Sequence, residues 1–273
     1  MNITIDGKEA DITLENERTV GEVLAGLENW LAGSGYRLSG LDLDGETADA
    51  GSLDRFFGRE LSTVETLNIR TSSWVEHAAQ SVVSLHGVLR GLGALAFQER
   101  EGLYRDWEAG AEAQFIREEL PDLYLMAQKT FAGEGVSPGD LEKLLEERLR
   151  EFENPRGELE ASAPLVETLA RRLKDLPLDV QTGKDGRAAE TMGLFSTLAE
   201  KLFRLFKLLR IGGFFPENLT VDGSPVRQFI GDFDSAIKEL IEAYEGRDTV
   251  LVGDLAEYEL APRLLRFYAA IKA

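Results

Sequence analysis

Apolar and polar positions alternate with two different periods along this chain, and the period changes near residue 73. Ile3 and Ile5 point one way and Thr4 the other; Ala10, Ile12 and Leu14 repeat the alternation, the signature of half-buried strands. Asp6-Gly7 between them supplies the positive φ of a tight hairpin turn. Thr19 with Glu22 three positions on is a capping box, and Val23, Leu24, Leu27, Trp30 and Leu31 form the apolar stripe of a helix that Gly33-Ser34-Gly35 should stop. Leu38, Leu41 and Leu43 resume extended structure up to an Asp44-Gly45 turn. Leu53, Phe56 and Phe57 fit a short helical turn, and Val64, Leu67 and Ile69 a last strand.

From Ser72-Ser73-Trp74 onward the period is helical. A long helix should start near Trp74, with Gly87, Gly91 and Gly93 inside its pattern as places where a neighbouring helix comes close, and Pro121 should break it. Ser137-Pro138-Gly139-Asp140 opens the next helix, with Leu141, Leu144, Leu145, Leu149 and Phe152 as its stripe, and Asn154-Pro155-Arg156-Gly157 ends it. Leu165 to Leu176 mark a helix that Pro177 should terminate, and Ala188 to Leu209 a strongly apolar one. Ser224-Pro225 should cap the helix carrying Phe229 to Tyr244. Asp248 should cap the last, kinked at Pro262.

The order of the first part resembles the β-grasp fold of ubiquitin-like proteins: hairpin, helix, strands, then a short helical turn before the final strand. The resemblance covers residues 1–73. Modifiers and sulfur carriers of that superfold end on a free Gly-Gly carboxylate, whereas Arg70-Thr71-Ser72-Ser73 stands at the matching place here, so tag chemistry is not implied. The expected class is α+β: a ubiquitin-like β-grasp domain over 1–73 followed by a mainly α-helical bundle domain over 74–273, with a place near 154–164 where the helical part can divide.

Charge changes the functional picture more than the elements do. The chain has 273 residues with 49 acidic against 30 basic, a net of -19. Such a field repels phosphate backbones and attracts basic partners, so nucleic acid is excluded as an expected ligand. Cysteine is absent, which removes thiolate catalysis and Cys-ligated metals. Residues 78–97 are too polar for a confident membrane span, and no export signal opens the chain, so a cytoplasmic protein without stable membrane insertion is expected.

Candidate chemistry is thin. Asp42-x-Asp44-Gly45 lacks two essential ligands of a calcium loop, with Gly40 and Gly51 at those places. Gly183-Lys184 lacks the earlier glycine and the following hydroxyl of a phosphate loop. His77 and His86 are nine apart, too far along one helix to share a metal. Asp232 and Asp234 diverge on a helix, and Lys201, Arg204, Lys207 and Arg210 read as a core helix whose bases complement its C-terminus rather than as a membrane-binding face. Asp254, Glu257 and Tyr258 share a face at spacings of three and four, and Phe214-Phe215 beside Gly212-Gly213 can serve as an aromatic anchor.

No catalytic residue, cofactor or metal site is assigned on this reading. The expected function is a non-catalytic acidic adaptor or assembly factor that binds another protein with a basic surface, through the β-grasp sheet face or Phe214-Phe215. Two alternatives remain. One is an enzyme with a helical carboxylate site at Asp254, Glu257 and Tyr258. The other is a self-assembling structural protein that uses the Gly87–Gly91 helix as a homotypic interface.

Overall fold

The structure is a computed structural model, and it describes residues 2–10, 14, 16–33, 35–91, 97–216 and 218–273. It is α+β: a five-stranded mixed sheet near the N-terminus followed by helices. The chain forms two compact units, Met1–Phe152 and Glu153–Ala273.

In the first unit, β1 (Asn2–Ile5), β2 (Lys8–Glu9), β3 (Tyr36–Leu43), β4 (Glu46–Asp49) and β5 (Thr66–Ser73) lie in the order β2-β1-β5-β3-β4. β1 and β5 run parallel, with Ile3 opposite Leu67 and Ile5 opposite Ile69; the other pairs are antiparallel. The β1–β2 turn has φ of 49° at Asp6 and 74° at Gly7, as the Asp-Gly pair requires. Ile12 and Thr13 of the expected second strand, and Ser34, lie outside the described residues.

Helix α1 (Val20–Gly33) starts on the capping box: Thr19 Oγ1 accepts from the Glu22 N–H, and the Glu22 carboxylate accepts from the Thr19 N–H. It buries Val20, Val23, Leu24, Leu27 and Leu31 against Leu41, Leu43, Leu67 and Ile69 of the sheet. Trp30, expected in that stripe, is 61% exposed instead. Leu27 and Leu31 already define the buried line, and a residue step of about 100° carries position 30 to its edge. Leu53 and Phe56 are buried from a 3-10 turn, Ala50–Phe56, as their pattern predicts, while Phe57 is exposed.

Ser73 and Glu76 form a second capping box at the start of α2 (Trp74–Gly91). The helical run expected there is interrupted at Ala109-Gly110, which separates α3 (Phe97–Glu108) from α4 (Ala111–Glu119), and α5 (Pro121–Ala132) begins on Pro121. A Cβ on Gly87 would meet nothing within 4 Å, and one on Gly91 would meet only Leu103 at 3.6 Å. Among the described residues these two glycines therefore mark no close helix approach, because α2 packs through Ala78, Ser81, Val82, Leu85 and Leu89 instead. Gly93 lies outside the described residues.

Polar links order these elements. Glu119 of α4 accepts from the Trp74 indole N–H at 2.9 Å and pairs with Arg37 of β3. Helix α6 (Pro138–Glu153) carries Arg148, buried with Glu151 and reaching Asp122 of α5 at 2.7 Å.

The second unit comprises α7 (Pro155–Ala161), α8 (Ala163–Gln181), α9 (Asp185–Ile211), α10 (Val226–Glu245), α11 (Thr249–Asp254), a π-helical turn at Leu255–Leu260 and α12 (Ala261–Lys272). Phenylalanine rings meet within its leucine-rich core: Phe233 and Phe267 at 6.4 Å, with Phe203 touching both, at 5.6 and 5.3 Å.

Two boundaries differ from expectation. Pro177 does not end α8, which continues to Gln181 because buried Asp179 is held by Arg187 at 3.1 Å and Lys184 at 3.6 Å. Gly253 also lets α11 lie against the Pro177 ring, where a Cβ would sit 3.3 Å away. Ser224 does not cap α10. It pairs with Val221 in a two-stranded ladder, β6 (Thr220–Val221) with β7 (Ser224–Pro225), around the Asp222-Gly223 turn. Among the described residues no helix is long and apolar enough to cross a membrane.

Candidate functional site

The sheet–helix core of the first unit is closed on one side and open on the other. Leu41, Leu43, Leu67 and Ile69, on β3 and β5, are at most 1% exposed, whereas Ile3 and Ile5 on β1 are only half-buried. The difference opens a groove of about 750 Å³ between β1–β2 and α1. Ile5, Leu14, Val23, Leu27 and Leu31 give it an apolar floor. Trp30 and Tyr36, 61% and 48% exposed, stand at its mouth. Asp6, Glu9 and Glu17 against Lys8 make the polar rim negative.

Several bonds hold the rim. Asp6 accepts from the Thr71 N–H at 2.9 Å and from its hydroxyl at 2.6 Å, which ties the β1–β2 turn to β5. Asn68 Oδ1 accepts from the Gly7 N–H and the Thr4 hydroxyl. An apolar cleft of several hundred Å³ with aromatic side chains at its edge is the usual form of a site for a small molecule or an anchoring side chain. Sequence reasoning missed this groove because its floor comes from positions far apart in the chain and because Trp30 fits a buried stripe.

The structure divides the Phe214-Phe215 pair. Phe214 is 57% exposed, while Phe215 packs on the core with its ring 5.5 Å from Phe206. Gly213, at φ 74°, turns the chain so that the Phe214 N–H reaches back to the Leu209 carbonyl. Asp254 and Tyr258 are exposed and Glu257 is half-buried. Glu257 and Tyr258 fall in the π-helical turn, whose wider winding alters the face that α-helical spacing assigns to them. These three residues line neither the groove nor the small cavity beside Phe214 and Phe215.

The remaining candidates sit in structural roles. Asp44 accepts from the Glu65 and Thr66 N–H groups, and the Thr66 bond chiefly holds its carboxyl below the usual range. Asp42 is lowered likewise, first by Thr47 and then by Asn68. His77 lies edge-on to Phe115 at 4.5 Å, and burial, helped by nearby Arg37, lowers its pKa. Burial and a hydrogen bond with Tyr124 push the Tyr104 phenol far up, beside a Glu108 carboxylate that accepts from both phenols. The basic run lies on α9, which buries Leu202, Leu205, Phe206, Leu208 and Leu209; Lys201 pairs with Glu158 at 2.8 Å.

Comparison with known proteins adds two domain matches. Residues 1–73 match the family model of the TP0873 N-terminal domain. Residues 158–270 match a domain of unknown function, DUF8042. The chain is also 24% identical over 262 residues to a protein of Treponema pallidum (strain Nichols) named "Uncharacterized protein", an alignment covering 96% of this chain and 92% of the relative. No solved structure matches significantly. The first match contains the sheet, α1 and the groove; the second contains α8 to α11 and most of α12.

Proposed function

We propose that the protein is a non-catalytic cytoplasmic adaptor or assembly factor, and that the groove beside α1 takes an apolar segment of a partner protein with basic flanks. The observation that carries this reading is the half-open core: an apolar floor, two exposed aromatic rings and a negative rim in one place. Leaving Trp30 and Tyr36 in water forgoes burial that the same helix and sheet achieve elsewhere, and rigid aromatic anchors of this kind dominate binding energy in protein interfaces. Residues 1–152 hold 29 acidic and 14 basic side chains, so their field steers a basic partner toward the groove and repels an acidic one.

The proposed scaffold is a ubiquitin-like β-grasp domain. Its support is the β2-β1-β5-β3-β4 order with a central parallel pair and one long helix across the sheet, together with Arg70-Thr71-Ser72-Ser73 leading directly into α2 rather than ending on a reactive tail. In that setting the domain presents a surface instead of being transferred.

The test uses labelled peptides with an aliphatic–aromatic core, one set flanked by lysines and the other by glutamates, titrated against the full chain by fluorescence anisotropy. Saturable binding of the basic set is expected. Binding of the acidic set should be at least about tenfold weaker, and Trp30→Ala with Tyr36→Ala should weaken the basic set by about tenfold or more. Equal affinity for both sets, no saturable binding, or full binding by the double variant would each overturn the reading.

A further inference from the structure

We propose that His86, Glu142 and Glu146 form a binding site for a first-row divalent transition ion of the zinc type, bracing α2 against α6. The donor atoms of the three side chains lie within 4.8 Å of one another. His86 comes from α2, while Glu142 and Glu146 stand one turn apart on α6. The imidazole Nε2 is 3.4 Å from Glu142 Oε1. That is long for an N–H···O bond, which prefers about 2.7–3.2 Å. It matches the roughly 3.4 Å between two ligands that each sit about 2.1 Å from a tetrahedral ion.

Glu146 strengthens the case. Among the described residues its carboxylate makes no hydrogen bond or ion pair, yet it is held beside a second carboxylate. Like charges at i and i+4 on a helix repel. A cation between them would remove the repulsion and use all three groups. The backbones that present them are fixed, since Leu85 and Leu89 flank His86, Leu141 and Leu145 flank the two glutamates, and all four are buried. The His86 side chain is only 12% exposed, so few rotamers compete.

The donor set chooses the ion. One imidazole and two carboxylates suit zinc, cobalt, nickel or manganese, while a thiophilic copper(I) site would need sulfur and the chain has no cysteine. Calcium takes six to eight oxygens, more than this site offers. Glu146 is exposed, so water completes the coordination sphere. His77 is the chain's other histidine and lies against Phe115, away from this cluster. A nitrogen-bound metal therefore has one expected address.

The experiment uses the untagged full chain stripped with chelator and titrated with Zn2+ or Co2+ alone, read by calorimetry and by the visible absorption of cobalt. One equivalent should bind saturably and raise the melting temperature. Glu146→Gln and His86→Asn should each weaken binding by about tenfold or more and abolish the thermal shift, while His77→Asn leaves both intact. Circular dichroism of the metal-free variants checks that they fold. Absence of saturable one-equivalent binding in the native chain, affinity unchanged by both ligand substitutions, or equal affinity for Mg2+ or Ca2+ would overturn the proposal.

Discussion

Residues 153–273 gather phenylalanine rings at the centre of a leucine-rich core, and in residues 2–152 carboxylates tie several elements together, while ion pairs occur in both units. In the later unit Phe195, Phe203, Phe206, Phe229, Phe233 and Phe267 touch one another in a chain of tilted, stacked and edge-on contacts at 5.3–6.4 Å. In the earlier unit Trp74 and Arg37 meet on Glu119, Arg148 joins Glu151 and Asp122, and Glu108 gathers two tyrosines. Net charge separates the units more sharply: -15 over residues 1–152 and -4 over 153–273. Ring packing is indifferent to pH and salt, whereas charged contacts are not. The comparison teaches that the acidity of this chain belongs chiefly to the unit that carries both the groove and the His86 cluster.

The strongest way to break the comparison is to remove a ring. Phe267→Ala should cost about 4 kcal/mol, because the side chain is fully buried and the helices around it can only partly collapse. Trp30, Trp74 and Trp107 all lie in residues 1–152. Tryptophan emission therefore reports that unit alone, while far-ultraviolet circular dichroism reports both. The dichroism midpoint in urea should fall well below the emission midpoint in this variant; coincident transitions would mean that one cooperative unit spans the chain.

Next in size is Arg148→Ala, expected to cost about 3 kcal/mol by removing the buried guanidinium that meets both Glu151 and Asp122. Replacing both residues with apolar ones, Arg148→Met with Glu151→Leu, should recover most of the loss in the same emission assay. A double variant as unstable as the single one would show that the pair contributes more than charge compensation.

The smallest expected effect is the response to acid. Glu22, Asp42 and Asp44 have lowered folded pKa values, so their stabilisation is present above the unfolded range of about 4 and drains away as pH falls through the folded values. His77 is also lowered, here by burial. Below its ordinary 6.5 the unfolded chain takes up a proton before the folded chain does, and stability falls. All four groups sit in the earlier unit. The emission midpoint should therefore drift down from pH 7 to 5 and drop more steeply below 4. His77→Gln should flatten the first part, and an unchanged drift in that variant would remove His77 as its source.

Much of the fold could be read from local chemistry. The Ile3/Ile5 alternation, the Asp6-Gly7 turn and the capping residues Thr19, Ser73, Ser137 and Asp248 all act within a few positions, and each does in the structure what its type predicts. The departures come from effects that act across the chain. Pro177 stays inside a helix that Asp179 anchors through Arg187 and Lys184, and Gly253, far away in sequence, leaves room beside its ring. Arg148 and Glu151 look like surface charges until Asp122 and the neighbouring helices enclose them. The groove needs β1 and α1 to separate on one side only, which no local pattern encodes. His86 and Glu142 are 56 residues apart and meet only once α2 and α6 lie together.

The widened π-helical winding at Leu255–Leu260 shifts the rotational phase carried from α11 into α12, just before Pro262, and so sets where the last helix points its apolar side. Leu264, Phe267 and Ile271 face inward only at that phase. Trimming one residue from the turn would rotate them by about 100° and present three core side chains to water. The irregular turn is thus a timing element, and the aromatic cluster of the second unit keeps time by it.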